Sequence, residues 1–365
     1  MRLLHLETGR HLYGGARQVL YLLQGLAADS GCQNHLACPA GSEIAEAASQ
    51  TPGVTVHPMR AGGDLDVAMV ARVHRLIRRI RPDLLHVHSR RGADLYGGLA
   101  ARWAGIPAVI SRRVDNPEPA WWAARKYALY ARVITISEGI RQVLLGEGLA
   151  PDRVVTVPSA VDSARFQEPC DPGWFREALQ LPAEGPTLGV IAQLIERKGH
   201  GVLLQALPDL RRRFPGLRVL FFGRGPLQDK LAAEVRERGL ADTVQFAGFR
   251  DDLARILPCL DLVVHPARLE GLGVALLQAA ASGRPIVASR AGGIPEIVRD
   301  GVNGRLVEPG DAAGLQAAIG ELLADPARAE GLGQAGRRIV QREFAIQAMA
   351  DGNRGVYRAV LGECG

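Results

Sequence analysis

Lysine is almost absent from this chain. Of its 44 basic residues only Lys126, Lys198 and Lys230 are lysines; the rest are arginine. A GC-rich genome accounts for the bias, and it makes a lysine inside a motif more informative. Cysteine is scarce as well. Cys32, Cys38, Cys170, Cys259 and Cys364 are scattered and odd in number. They show no metal-ligand spacing and no disulfide framework, so free thiols in a reducing, cytoplasmic compartment are expected. No apolar run approaches the roughly 20 residues that span a bilayer. No signal peptide is expected either, because Met1-Arg2 leads straight into a strand pattern. Internal repeats and low-complexity tracts are missing. No G-x-G-x-x-G fingerprint follows a strand, which counts against a dinucleotide. No Asp-x-Asp pair stands at a predicted strand end, so no metal is expected.

What is present is ordinary in composition and uneven in charge. The 365 residues are 47% hydrophobic and 22% charged, which fits a globular chain of two domains. Residues 1–165 hold 20 Lys+Arg against 14 Asp+Glu, and residues 166–365 hold 24 against 24. The whole excess of +6 therefore lies in the first half. It favours an anionic partner there, or is simply a solvated basic face.

Short apolar runs alternate with helical patterns. Strands are predicted from Arg2–Leu6 to Val154–Pro158 and again from Thr187–Ala192 to Gly304–Val307. Predicted helices between them include Gln18–Leu26, Val67–Ile80, Gly201–Arg213, Val274–Ser282 and Ile294–Asp300. Alternation of this kind implies βαβ units and parallel sheets, here in two series. The break is expected near Asp162–Pro172, and a last helix covers Ala345–Leu361. Ligands of such sheets bind outside the carboxyl ends of the strands.

Four segments fall at those ends. Lys198-Gly199 closes the loop after the first strand of the second half, and Gln193 lies in the same loop. Lys198 suits a phosphate as a point charge. Gly223-Arg224-Gly225 follows Val219–Phe222, where glycines could admit a phosphate to backbone N–H groups. His265-Pro-Ala-Arg-Leu-Glu270 runs into Gly271-Leu272-Gly273-Val274 and on to Gln278. In a continuous helical frame, Glu270 and Gln278 would stand about 80° apart around the axis. A carboxylate and an amide so placed suit sugar and ribose hydroxyls. Ala291-Gly292-Gly293-Ile-Pro295-Glu296 is a tight loop before a helix. Its carboxylate suits the helix dipole and reads as structural.

In this order the segments resemble the GT-B glycosyltransferases, and among them the retaining glycosyltransferase family 4. The family's G-R-L-x-x-x-K-G appears as Ala192–Gly199, its G-x-G-P as Gly223–Pro226 and its F-x-G as Phe246-Ala-Gly248. Its E-G-x-G appears as Glu270–Gly273, its G-G-x-P-E as Gly292–Glu296 and its G-x-N-G as Gly301–Gly304. In the first half, Gly14-Gly15 matches the family's double glycine, and Pro82–His88 its P-D-x-x-H-x-H strand. Two departures stand out. The family's phosphate-binding arginine is Gln193 here, and its second motif glutamate is Gln278.

The resemblance implies two Rossmann-like, doubly wound α/β domains facing across a cleft. The acceptor-side domain would be 1–165 with the helix 345–365 packing back on it, and the donor domain 172–344. It also implies transfer from a UDP-, GDP- or ADP-sugar, without metal, to a glycan or lipid-linked anionic acceptor. Similarity to bacterial lipopolysaccharide-core transferases points to cell-envelope glycan synthesis. Lys198 and position 193 would hold the diphosphate, Glu270 the sugar and Gln278 the ribose. Gly14, Gly15, Gly223, Arg224, Gly225, Gly248, Phe249, Gly271, Leu272, Gly273 and Val274 complete the implied donor contacts. Hydrolysis would need a second positioned carboxylate, and only Glu270 has that context.

His11, His86, Arg90, Arg112 and Arg113 are acceptor-side candidates. His88 is the preferred catalytic histidine, being nearer the carboxyl end of its strand. Arg72–Arg81 reads as a basic amphipathic helix, compatible with peripheral contact at the inner membrane or with a solvated face. Nucleic acid is not an expected partner. A non-catalytic nucleotide-sugar-binding protein and a nucleotide-sugar epimerase of the same architecture stay open as alternatives.

Overall fold

The computed structural model describes residues 1–28, 31–88, 92–182 and 184–362. Arg90, Arg91 and Cys364 lie outside the described residues. The chain divides into two compact units, Met1–Ala160 with Ile346–Gly365, and Val161–Ala345.

The first unit holds strands β1 (Arg2–Leu6), β2 (Gln33–Pro39), β3 (Val54–Met59), β4 (Leu84–Val87), β5 (Ala108–Arg112), β6 (Arg132–Thr135) and β7 (Val154–Thr156). All pair in parallel, in the order β3-β2-β1-β4-β5-β6-β7. The second unit holds β8 (Thr187–Ile191), β9 (Arg218–Phe222), β10 (Val244–Gly248), β11 (Leu262–His265), β12 (Ile286–Ser289) and β13 (Arg305–Val307). These are also parallel, ordered β10-β9-β8-β11-β12-β13. Helices cover both faces of each sheet's central strands, so those strands are largely apolar, with His5 in β1 and His86 in β4 as buried exceptions. Leu3, Leu4 and Leu6 are all fully buried.

The first helix, α1 (Gly15–Ala27), follows β1. The last helix, Ile346–Leu361, packs beside it. Met349, Ala350, Val356 and Tyr357 share a buried cluster with Leu3, Tyr21, Leu22 and Leu26.

Several expectations change. The unit boundary falls at Ala160, before the expected Asp162–Pro172 break. Val161 donates its N–H to Phe344 O, and Phe166 is buried, so this segment already belongs to the second unit. Pro172 does not mark a linker; it opens the helix Pro172–Leu179, capped by the Asp171 carboxylate on Trp174 N–H. That is proline's favoured place in a helix. Asp325 and Pro326 begin the unexpected helix Pro326–Glu343 in the same way. The helix expected over Ile294–Asp300 stops at Ile297, because buried Asn303 takes over the backbone. Its amide donates to Ile297 O and its Oδ1 accepts from Arg299 N–H.

The cysteine reading is overturned. Cys170 and Cys259 form a disulfide with Cα atoms 4.8 Å apart, while Cys32 and Cys38 are free and buried. The bridge joins positions 89 residues apart, a separation that carries no sequence motif. With one disulfide formed, cysteine usage no longer points to a reducing compartment. Among the described residues, no helix is long and apolar enough to cross a membrane.

Candidate active site

In the second unit the motif loops interlock through their backbones. A 3-10 turn, Glu196–Lys198, follows β8 and ends at Gly199 with φ 71°. A Cβ at Gly199 would overlap the Pro266 carbonyl oxygen. The close approach lets Arg268 N–H reach Arg197 O at 2.8 Å. The loop of Lys198 is thereby fastened to the loop of Glu270. Gly292, with φ 52°, plays the same part on the other side of Glu270, since its Cβ would overlap the Glu270 carbonyl oxygen. Gly293 N–H donates to that oxygen at 3.1 Å. These glycines exist so that three loops can stack without side chains between them.

The polar core of the site follows from this stacking. Lys198 Nζ donates to Glu270 Oε2 at 2.5 Å. His265 Nε2 lies 2.8 Å from the same oxygen. A carboxylate only accepts, so His265 Nε2 must carry the hydrogen. All three side chains are largely buried, at 10%, 12% and 3% exposure for Lys198, Glu270 and His265. Burial pushes the Glu270 carboxyl pKa upward. The His265 hydrogen bond, with the charges of His265 and Lys198, outweighs it and holds the pKa at about 2. Glu270 is therefore a fixed carboxylate near neutral pH and not a proton donor. Lys198 keeps two further N–H groups for a ligand.

The other donor candidates are placed less tightly. Gln193, Arg224 and Phe249 are exposed, and Gln278 is half-buried on the helix Val274–Ala281. That helix begins only at Val274, after Gly273 at φ 97°. Glu270 therefore lies outside the helical frame, and the 80° relation to Gln278 does not apply. Gly223 is not an open phosphate cradle. Its N–H donates to Gly248 O at 2.8 Å, and Leu194 N–H donates to Arg224 O at 3.1 Å. This loop is used to hold the Gln193 loop.

Residues 13–165 match Glycosyltransferase Family 4, and residues 174–339 match Glycosyl transferases group 1. A GDP-mannose-dependent alpha-(1-6)-phosphatidylinositol monomannoside mannosyltransferase of Mycolicibacterium smegmatis is 35% identical over 289 residues, 74% of each chain. The chain belongs to glycosyltransferase family 4. A lipopolysaccharide core biosynthesis glycosyltransferase of Rhizobium meliloti is 27% identical, over 78% of each chain. The fold is GT-B, as in a Rickettsia africae glycosyltransferase with TM-score 0.87 at 18% identity, covering 100% of this chain and 99% of that one. An Anabaena protein solved with UDP has TM-score 0.83 at 21% identity, covering 98% and 100%.

The family 4 transferase keeps a second polar group in its first unit. Glu7, His88 and Arg113 directly follow the adjacent strands β1, β4 and β5. His5 Nδ1 and His88 Nε2 lie 3.0 Å apart. His86 Nδ1 meets Tyr357 Oη at 2.6 Å and its Nε2 meets Ser111 Oγ at 2.8 Å. Burial keeps all three histidines below their ordinary pKa, and so neutral; a hydrogen bond from Asn34 opposes it at His5, and neighbouring charges add to it at His86 and His88. One ring nitrogen from each of the three lies within 4.8 Å of the others, close enough for a metal. The bonds to Tyr357 and Ser111, however, already occupy both nitrogens of His86.

Of the acceptor-side expectations, those for His86 and Arg112 change here. His86 is fully buried and committed on both sides, and His88 Nδ1 is buried without a partner. Arg112 is also withdrawn from the surface, with 2% exposure. Its guanidinium is taken by Glu118, at 3.3 Å, and by Asn116 O. Glu118 in turn holds buried Lys126 at 2.5 Å. His11 is exposed and paired with Glu43 at 3.0 Å. His265 is the polar residue to which sequence reasoning gave no role. Its one signal was a histidine in the final position of a buried apolar strand.

Proposed function

We propose that this nucleotide-sugar-dependent glycosyltransferase moves a sugar, with retained configuration, onto an anionic lipid-linked glycan of the bacterial cell envelope. The Lys198–Glu270–His265 cluster carries the reading. Breaking the bond to a nucleoside diphosphate leaves negative charge on the diphosphate. A fixed cation such as Lys198 lowers that barrier most where water is excluded. Glu270, held ionised, would accept hydroxyl hydrogens of the donor sugar, and Gln278 those of the ribose. The leaving phosphate would take the acceptor's proton. The donor contacts would be completed by Gln193, Arg224, Gly248, Phe249, Leu272 and Val274.

The acceptor class is supported by the positive excess of the first half. Arg75, Arg78 and Arg79 lie exposed along the helix Met69–Ile80, while Met69, Val73, Leu76 and Ile77 are buried. That basic face suits an anionic headgroup surface, so the proposed working place is the cytoplasmic face of the inner membrane.

A thermal-shift screen against UDP-, GDP- and ADP-sugars tests the donor, because binding to the folded state raises apparent stability. A selective shift is expected, followed by nucleoside diphosphate release when a membrane glycan fraction is added. Glu270→Ala should abolish release while the melting transition survives. Undiminished turnover in that variant would sink the assignment. Binding without release would instead favour the non-catalytic reading.

A further inference from the structure

The Cys170–Cys259 bridge lies where the chain has just entered the second unit. Val161, the first residue of that unit, donates its N–H to Phe344 O, and buried Phe166 anchors the 3-10 turn Ser163–Phe166. Gln167, Glu168 and Pro169 then run exposed to the bridge. Its other end, Cys259, closes the 3-10 turn Leu257–Cys259, which leads through Leu260 and Asp261 into β11. That strand ends in His265 and delivers Glu270. Both turns pack on the helix Val274–Ala281, which carries Gln278. The bridge therefore joins the two segments that back the Glu270–Gln278 side of the candidate site.

A reagent from outside can reach this bond, whereas the described free thiols of the chain cannot. Cys170 and Cys259 are both half-buried. The second unit holds no other cysteine, and Cys32 and Cys38 are buried in the first. Burial also pushes the Cys38 thiol up to about 11, which leaves almost no thiolate to attack a disulfide near neutral pH. The proposed working place, the cytoplasmic face of the inner membrane, supplies the reagent. Glutathione and dithiol proteins keep thiols reduced there, and the disulfides that do form are usually transient or redox-sensing.

We infer that Cys170–Cys259 is a reversible redox strap, closed when oxidised and opened by a dithiol oxidoreductase, and that opening it loosens the helix Val274–Ala281 behind the donor site. The inference rests on the proposed function, which supplies the compartment and the donor. In the opening step a thiolate of the reductant attacks one bridge sulfur, forms a mixed disulfide and releases the other cysteine as a thiolate. The second thiol of the reductant then attacks the mixed disulfide. Two electrons pass to Cys170 and Cys259, which end as thiols after taking up two protons, and the reductant leaves as its own disulfide. The exposed run 167–169 then loses its tie to the turn at Cys259. Donor binding must supply the order that the strap supplied before, so affinity falls.

The test uses the full chain, oxidised or reduced by a thioredoxin-type dithiol protein under excess dithiothreitol, with the bridge read by alkylation and mass. Hydrogen exchange in Val274–Ala281 should quicken on reduction. UDP, GDP and ADP are titrated by calorimetry, and the nucleotide that binds should lose affinity by about fivefold or more, the low end of coupling between sites. Linkage requires the reverse effect. That nucleotide at saturation should make the bridge about fivefold harder to reduce, or about 20 mV for a two-electron couple. Cys170→Ser with Cys259→Ser should match the reduced parent and ignore the dithiol. A bridge that stays closed under the dithiol protein, or a reduced parent that unfolds, makes the bond structural and overturns the strap. So does reduction that leaves the exchange or, where a nucleotide binds, its affinity unchanged. A chain that binds no nucleotide in either state refutes the transferase reading, and the strap then stands or falls on the exchange of Val274–Ala281.

Discussion

His265 donates to Glu270 Oε2 at 2.8 Å, on the oxygen that Lys198 also holds. In the proposed reaction the second oxygen of the carboxylate would meet the substrate. Lys198 and Glu270 come from the motifs, whereas His265 sits on the strand that carries Glu270 to its place. In the proposed reaction it would act through Glu270, as a positioning residue.

That role has a pH signature. The folded pKa of Glu270 is depressed to about 2 from an ordinary 4.5. Its ion pairing therefore contributes stability above about pH 4.5, lost as pH falls from there toward 2. His265→Phe removes the hydrogen bond and leaves the burial. The acid limb of kcat/KM should move up by about one unit or more, and His265→Gln, which keeps a donor, should restore part of it. Identical acid limbs in all three proteins would remove His265 from the mechanism.

Tyr357 should matter to stability in a way its distance along the chain does not announce. Its hydroxyl is the partner of buried His86 Nδ1 at 2.6 Å. Tyr357→Phe leaves that nitrogen unsatisfied and should cost about 1–3 kcal/mol. Urea unfolding followed by a probe in the first unit reads the loss. A change below about 0.5 kcal/mol would mean that water replaces the hydroxyl.

The Cys170–Cys259 bridge closes a loop across 89 positions. Loop-closure entropy sets an upper bound of about 4–5 kcal/mol on its contribution. Cys170→Ser with Cys259→Ser should therefore lower the melting temperature of the second unit. Thiol titration of the unfolded parent should count three free thiols against five after reduction. Five before reduction would restore the expectation of free cysteines.

Much of the fold was legible because its central strands are buried on both faces and so read as largely apolar runs. The motif glycines were legible too, though not their purpose. Gly223 looked like a phosphate contact, and the structure uses it to stack one loop on another. The 80° relation of Glu270 to Gln278 failed for a physical reason, since Gly273 takes a positive φ that no helix shares. Pro172 and Pro326 were helix starts, and beside Asp171 and Asp325 they carried the capping signal openly. Nothing local could have paired Cys170 with Cys259, or buried Arg112 against Glu118. Those outcomes depend on which strands become neighbours.

The helix Ile346–Leu361 gives the molecule a birth order. During synthesis the first sheet emerges early, but Leu3, Tyr21 and Leu22 wait for Met349, Val356 and Tyr357 to close their cluster. The second unit is one continuous stretch and can close first. The half of the chain made first is thus the last to finish. A ribosome that stalls before residue 346 would release a folded second unit attached to an open, sticky sheet.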